Sequence, residues 1–166
     1  MATTNSAGAT KNKMEITTPT DLEIVMTRVF DAPRRLVWEA HTNPEHLPNW
    51  MLGPEGWTMP ICEIDLRPGG TWRCVWRRED GSEMEIRGVY QEVVPHERLV
   101  NTESWGADWP ETLNTLLLDE ENGKTLMTSK MLYPTKEARD KALQSGMADG
   151  VDLSYDRLDE YLGEMA

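Results

Sequence analysis

Cysteine is scarce in this chain, with only Cys62 and Cys74 among 166 residues. Two are too few for a disulfide framework, and a reducing cytosol leaves both as thiols. Basic residues are also a minority, 17 Lys and Arg against 29 Asp and Glu, for a formal net charge of -12. A phosphate backbone is met by patches of Lys and Arg, so this balance argues against a nucleic-acid partner, and it repels anionic membranes. No apolar run approaches the roughly 20 residues of a membrane span, and the opening residues lack the basic start and apolar middle of a signal peptide. The expectation is a cytoplasmic protein without membrane insertion.

Motifs that carry chemistry are equally sparse. His41 and His46 lie on either side of a helix break, His96 sits in a turn, and the two cysteines lie on different strands. No metal site is expected from that spacing. Gly69-Gly70 joins two strands instead of opening a helix, so it is not a phosphate loop, and no cofactor is expected. Ser154 has no Gly-x-Ser-x-Gly context and reads as a small packing residue, which leaves no catalytic residue to name.

What the chain does have is seven Trp and ten Met beside a single Phe. Met is flexible and Trp is broad with one polar edge, so the two suit either a wall that accommodates a ligand or an ordinary core. Composition does not choose between them.

Along the chain, residues 1–12 are small and polar with no apolar period, and are read as a disordered tail preceding one domain, 13–166. A strand is predicted from Asp21 to Phe30. Asp31-Ala32-Pro33 reads as a helix start, with Asp31 or Ala32 capping and Pro33 first in a helix to about His41. A second helical turn runs from Asn43 to near Trp50. Six strands follow at short intervals, about Trp57–Leu66, Thr71–Arg78, Met84–Val94, Arg98–Trp105, Glu111–Leu118 and Thr125–Tyr133, a meander and hence antiparallel.

Alternation points Trp72, Cys74 and Trp76 inward, with Cys62, Ile64 and Leu66 facing them from the preceding strand. A three-residue loop would set Cys62 opposite Cys74 but put Pro68 where a type I turn disfavours it. A longer loop, with Cys62 opposite Trp76, is therefore expected. The chain closes with helices at about Thr135–Gln144 and Met147–Leu162. In the second, Met147, Val151, Tyr155, Leu158, Leu162 and Met165 form a stripe that leaves out Asp149, Asp152, Asp156 and Asp159. The only platform large enough for that stripe is the concave face of the sheet.

Several segments carry a resemblance. They are Thr27-Arg28-Val29-Phe30-Asp31-Ala32-Pro33, Trp50 with Gly53-Pro54, Asp65-Leu66-Arg67-Pro68-Gly69-Gly70, Gly88-Val89-Tyr90, Pro95-His96-Glu97-Arg98-Leu99, and Gly146-Met147 with Gly150. In order and spacing they resemble the Hsp90-ATPase-activator-like branch of the START-like (SRPBCC) superfamily, over about Asp21 to Leu162. Gly56-Trp57-Thr58-Met59-Pro60 resembles uncharacterised bacterial members. The resemblance implies an α+β helix-grip (Bet v1-like) fold of about seven strands, with a cavity under the C-terminal helix that relatives use for apolar small molecules. Many relatives have Trp where this chain has Val151, which implies a differently shaped rim. The eukaryotic co-chaperones of the branch carry a further N-terminal domain that this chain lacks, which argues against stimulation of the Hsp90 ATPase.

The candidate ligand-binding residues are Trp72, Trp76, Met84, Ile86 and Trp105 from the sheet and Met147, Val151, Tyr155 and Leu158 from the helix. Arg28, Asn114 and Ser129 are polar residues expected to reach the same space, as ligand contacts or as internal hydrogen-bonding groups. The first reading is non-enzymatic binding of an apolar or amphipathic small molecule by a monomer or homodimer. An aromatase or cyclase-type enzyme using the same cavity is the alternative, and a protein-interaction domain is the third.

Overall fold

The computed structural model describes residues 13–106 and 108–165. The tail expected over residues 1–12 lies outside the described residues. The elements are β1 (Glu15–Thr17), β2 (Glu23–Phe30), α1 (Arg34–Thr42), a 3-10 turn (Leu47–Asn49), β3 (Trp57–Ile64), β4 (Thr71–Arg78), β5 (Glu83–Val94), β6 (Arg98–Glu103), β7 (Thr112–Glu121), β8 (Lys124–Leu132), α2 (Lys136–Gln144) and α3 (Met147–Met165). The strands form one antiparallel sheet of eight, ordered β1-β2-β8-β7-β6-β5-β4-β3. The sheet curves, and α3 lies in its concave face, the helix-grip arrangement expected from the sequence.

Three local expectations are corrected. The short strand β1, which sequence pattern did not suggest, extends the sheet edge by pairing Glu15 with Thr27 and Thr17 with Val25. Helix α1 begins one residue late: Pro33 is its N-cap and no side chain within the segment caps it. The Arg34 amide instead donates to Glu120 Oε1 at 2.8 Å from the end of β7, while Asp31 pairs with Lys124. Capping across the fold satisfies the orphan amide as a local Asp would.

The third correction concerns the β3–β4 hairpin, where Cys62 stands opposite Cys74 and not Trp76. Pro68-Gly69 is the turn, as expected. The Gly70 amide donates to Arg67 O, however, and Gly69 has φ +84°. Pro68 thus takes the first central position of a type II turn and glycine the second, both favoured. With the ladder ending at the Asp65–Thr71 bond, the five residues between fit the register that the type I argument had rejected.

Neighbouring strands approach unusually closely at Gly88 in the long strand β5. A Cβ there would lie 1.9 Å from Thr102 O and 2.6 Å from Trp72 Nε1. Only glycine permits that approach. Around it β5 is paired on both sides: Gly88 and Val89 with Trp72 and Thr71 of β4, Arg87 with Ser104 just past β6 and Tyr90 with Asn101 of β6, after which a bulge follows.

The main core lies between the concave face and the helices. Phe30, Val37, Trp50, Cys74, Met127, Leu158 and Leu162 are fully or almost fully buried there. A smaller cluster of Ile24, Met26, Tyr133 and Ala142 supports the start of α3, with Met147 and Val151 packed on it.

Candidate functional site

The concave face is sealed at one end and half-open at the other. Toward α1, the inward side chains of β2, β7 and β8 (Phe30, Leu116, Leu118, Met127) are buried beneath the C-terminal half of α3. Toward the other end, the inward-facing Ile64, Trp72, Asn101, Glu103, Asn114, Ser129 and Met131 are only partly buried. Met147 and Val151, in the first turns of α3, are likewise half-buried. The helix roofs the sheet tightly over its second half and loosely over its first.

The sequence-derived candidates divide along this gradient. Trp76, Ile86, Tyr155 and Leu158 are buried in the main core, with Trp72 and Val151 packed against it. Trp105 is 37% exposed and stacks on Trp76 at 5.4 Å, forming a rim. Met84, opposite Trp76 on the far end of β5, is 44% exposed and joins neither cluster. Met147 packs on the smaller cluster.

A buried indole N–H needs a polar partner. Protein supplies most of these partners. Trp76 Nε1 donates to Met51 O at 2.7 Å, Trp50 Nε1 to Ala40 O at 2.9 Å, and Trp105 Nε1 to Glu103 Oε1 at 2.7 Å. Trp72 Nε1 is buried with no hydrogen-bond partner among the described residues. It sits above Gly88, beside a groove of about 600 Å³ lined by Ile64 and Trp72 but also by Glu63, Arg73, Arg87 and Val89, which face away from the core. That groove touches no residue of α3; beneath the middle of the helix, Trp50, Tyr155 and Leu158 fill the space.

Sequence reasoning missed Glu103. It ends β6 on the same face as Leu99 and Asn101, and a chain of donors converges on it. Thr112 Oγ1 donates to Asn114 Oδ1 at 2.8 Å, Asn114 Nδ2 donates to Glu103 Oε2 at 2.6 Å, and the Trp105 indole takes the other oxygen. Burial raises the Glu103 carboxyl above the usual range, and the bonds from Trp105 and Asn114 offset this only in part. Such a group holds a proton more readily than a surface glutamate. Nearby hydroxyls are also held protonated: burial pushes Tyr133 and Tyr155 up to about 12, the latter against hydrogen bonding to Ser129 and the Arg28 charge. Asn114 and Ser129, singled out from sequence, thus belong to this polar set.

Arg28 serves the roof. Its side chain is fully buried, 3.0 Å from Asp156, 3.6 Å from Asp152 and 3.7 Å from Asp159 of α3. None of its N–H groups is aligned for a hydrogen bond, so the contact is one of charge. The acidic stripe that fell off the apolar face of the helix is what Arg28 holds down. Ser154, expected to be a packing residue, accepts the Gly53 amide at 2.8 Å. Among the described residues no group of three or more His, Cys, Asp or Glu has metal-binding geometry, and no helix is long and apolar enough to cross a membrane.

Comparison with known proteins adds to this geometry. The family model described as Activator of Hsp90 ATPase homolog 1-like protein matches residues 31–163. Among solved structures, the chain is similar to a protein from Rhodobacter sphaeroides, with 30% identity and a TM-score of 0.86 over 93% of this chain and 100% of that one. A protein from Nitrosomonas europaea is 26% identical, with a TM-score of 0.79 over 89% and 98% of the two chains. An AHSA1-like protein from Aeromonas hydrophila, 18% identical, shares the fold with a TM-score of 0.72 over 84% and 94%. No curated protein matches the chain.

Proposed function

Because this chain belongs to the Activator of Hsp90 ATPase homolog 1-like family, whose fold supports a ligand-binding or activator-like domain, we propose that it holds an amphipathic small molecule at the half-open end of its concave face. The observation that carries this reading is the coincidence of apolar walls and one convergent polar group. Ile64, Trp72, Met131, Met147 and Val151 are partly accessible, and Met131 pairs across the ladder with Asn114 of the Glu103–Asn114–Thr112 chain. A ligand body removing about 300 Å² of apolar surface from water gains roughly 7 kcal/mol before ordering losses. Glu103 and the unpartnered Trp72 indole would orient its polar end, as an acceptor and a donor respectively.

Native mass spectrometry of the protein as purified, followed by thermal-shift titration with fatty acids, sterols and aromatic polyketides, tests the proposal. A saturable shift with one class, lost in Trp72→Ala and weakened in Glu103→Gln, supports it. An empty protein that no class stabilises overturns it and leaves the activator-like reading, with an outer surface as the working face.

The raised proton affinity of Glu103 favours one second reading, a cyclase-type enzyme in which this carboxyl moves a proton on a bound substrate. In that case Glu103→Gln abolishes turnover while binding, read by the same thermal shift, persists.

A further inference from the structure

Cys62 and Cys74 face each other across the β3–β4 ladder, with their sulfur atoms 3.9 Å apart. Where they sit in the ladder matters as much as the distance. The Asp65 amide donates to Thr71 O, which marks Asp65–Thr71 as a hydrogen-bonded pair. Pairs alternate along an antiparallel ladder, so Ile64–Trp72 is non-hydrogen-bonded, Glu63–Arg73 is hydrogen-bonded, and Cys62–Cys74 is again non-hydrogen-bonded. At such positions the two Cα and Cβ atoms approach nearest, within the range a disulfide spans. Just beyond Cys62 the register shifts between Thr58 and Ile61, and that irregularity gives β3 slack to adjust.

We propose that Cys62 and Cys74 form a hydroperoxide-reactive dithiol that closes to a cross-strand disulfide. Cys62 is the attacking residue: it is partly accessible, whereas Cys74 is fully buried. The Cys74 thiol donates its hydrogen to Cys62 sulfur, which favours the Cys62 thiolate and holds the Cys74 proton in place. In the first step the thiolate attacks the peroxide oxygen; an S–O bond forms, the O–O bond breaks, and the leaving alkoxide takes a proton from water. In the second, Cys74 sulfur attacks the Cys62 sulfenic sulfur; the S–S bond forms, the S–O bond breaks, and the departing hydroxide leaves as water with the Cys74 proton. Two thiols and one hydroperoxide become one disulfide, one alcohol and one water. The two sulfur atoms must close from 3.9 Å to about 2 Å. In a compartment kept reducing the bridge is transient, as intracellular disulfides usually are.

The test uses the full chain, reduced and freed of reductant, then treated with hydrogen peroxide or cumene hydroperoxide. Thiol titration and intact mass are followed with time. The proposal expects both thiols to disappear together, with the loss of two hydrogens, no gain of oxygen, and recovery on adding dithiothreitol. Cys74→Ala should instead stop at a Cys62 sulfenic acid trapped by dimedone. In Cys62→Ala, thiol loss should slow by about tenfold or more, since the remaining sulfur is buried. Because Cys74 lies in the core, the wild-type titration is decisive without either variant. Two persistent thiols, a disulfide between chains, or oxygen accumulating on wild-type Cys62 as fast as in Cys74→Ala would each overturn it.

Discussion

Replacing Arg28 with alanine tests how the C-terminal helix is held on the sheet. The guanidinium is fully buried, while the side chains of Asp152, Asp156 and Asp159 are 51%, 38% and 24% exposed. Attraction at these separations is about 4 kcal/mol per pair at an effective dielectric near 20, much of it offset by desolvation of the arginine. Removing one partner of a buried pair typically costs about 3 to 5 kcal/mol. Here the groups left behind are three half-hydrated carboxylates that can turn toward water, so the lower end applies, about 3 kcal/mol. For a chain of this size that is about 6 to 12 °C in unfolding temperature. Arg28→Met keeps the volume and removes both the attraction and the desolvation, and is expected to lose only about 1 kcal/mol. Urea unfolding followed by tryptophan fluorescence measures both variants, at low and at high salt. A buried charge contact is screened little, so the alanine deficit should survive added salt. Equal losses in the two variants, or a deficit that vanishes in salt, would refute the reasoning.

Other consequences follow from the same geometry. Gly88→Ala places a Cβ within 2 Å of Thr102 O, a backbone atom that cannot step aside, and should destabilise by about 3 kcal/mol, with altered near-UV circular dichroism as the strands part. Glu103 binds a proton more tightly folded than unfolded, so its contribution to stability is full below the unfolded value near 4.5 and is lost as pH rises through the higher folded value. Relative to wild type, Glu103→Gln should therefore gain stability across that window and then level off. Its constant offset, about 1 kcal/mol for the amide set against a donor, is separate from that slope in a pH series of urea midpoints. Trp76→Phe loses the indole bond to Met51 O and the stack on Trp105, and should cost about 1 to 2 kcal/mol while raising Trp105 accessibility to acrylamide.

The meander and the gripping helix were legible because both rest on strong periodic signals. Trp72-Arg73-Cys74-Val75-Trp76-Arg77 alternates, and Met147, Val151, Tyr155, Leu158 and Leu162 recur at helical steps. Register was less legible, since Pro68-Gly69 fits two turn types and only the positive φ of Gly69 decides between them. The strand Glu15–Thr17 was invisible because an edge strand buries too little to show a pattern; all three of its residues are exposed. Glu103 was hidden for a different reason. On β6 the inward residues are Leu99, Asn101 and Glu103, and a face with two polar residues out of three reads as the outward one. The pairing of Asn101 with Asn114 and of Glu103 with Thr112 reverses that reading, and pairing is a property of the sheet, not of any one segment. Arg28 could be singled out because a lone charge between Met26 and Phe30 has nowhere polar to go along its own strand.

One short loop ties roof to wall. Met51 O holds the Trp76 indole of the sheet, Gly53 donates to Ser154 of the helix, and Pro54 lies 3.4 Å from where a side chain on Gly150 would begin. Any force that lifts α3 from the sheet therefore strains this clasp first. Lifting the helix must break the Gly53–Ser154 bond and disturb a tryptophan on the opposite wall.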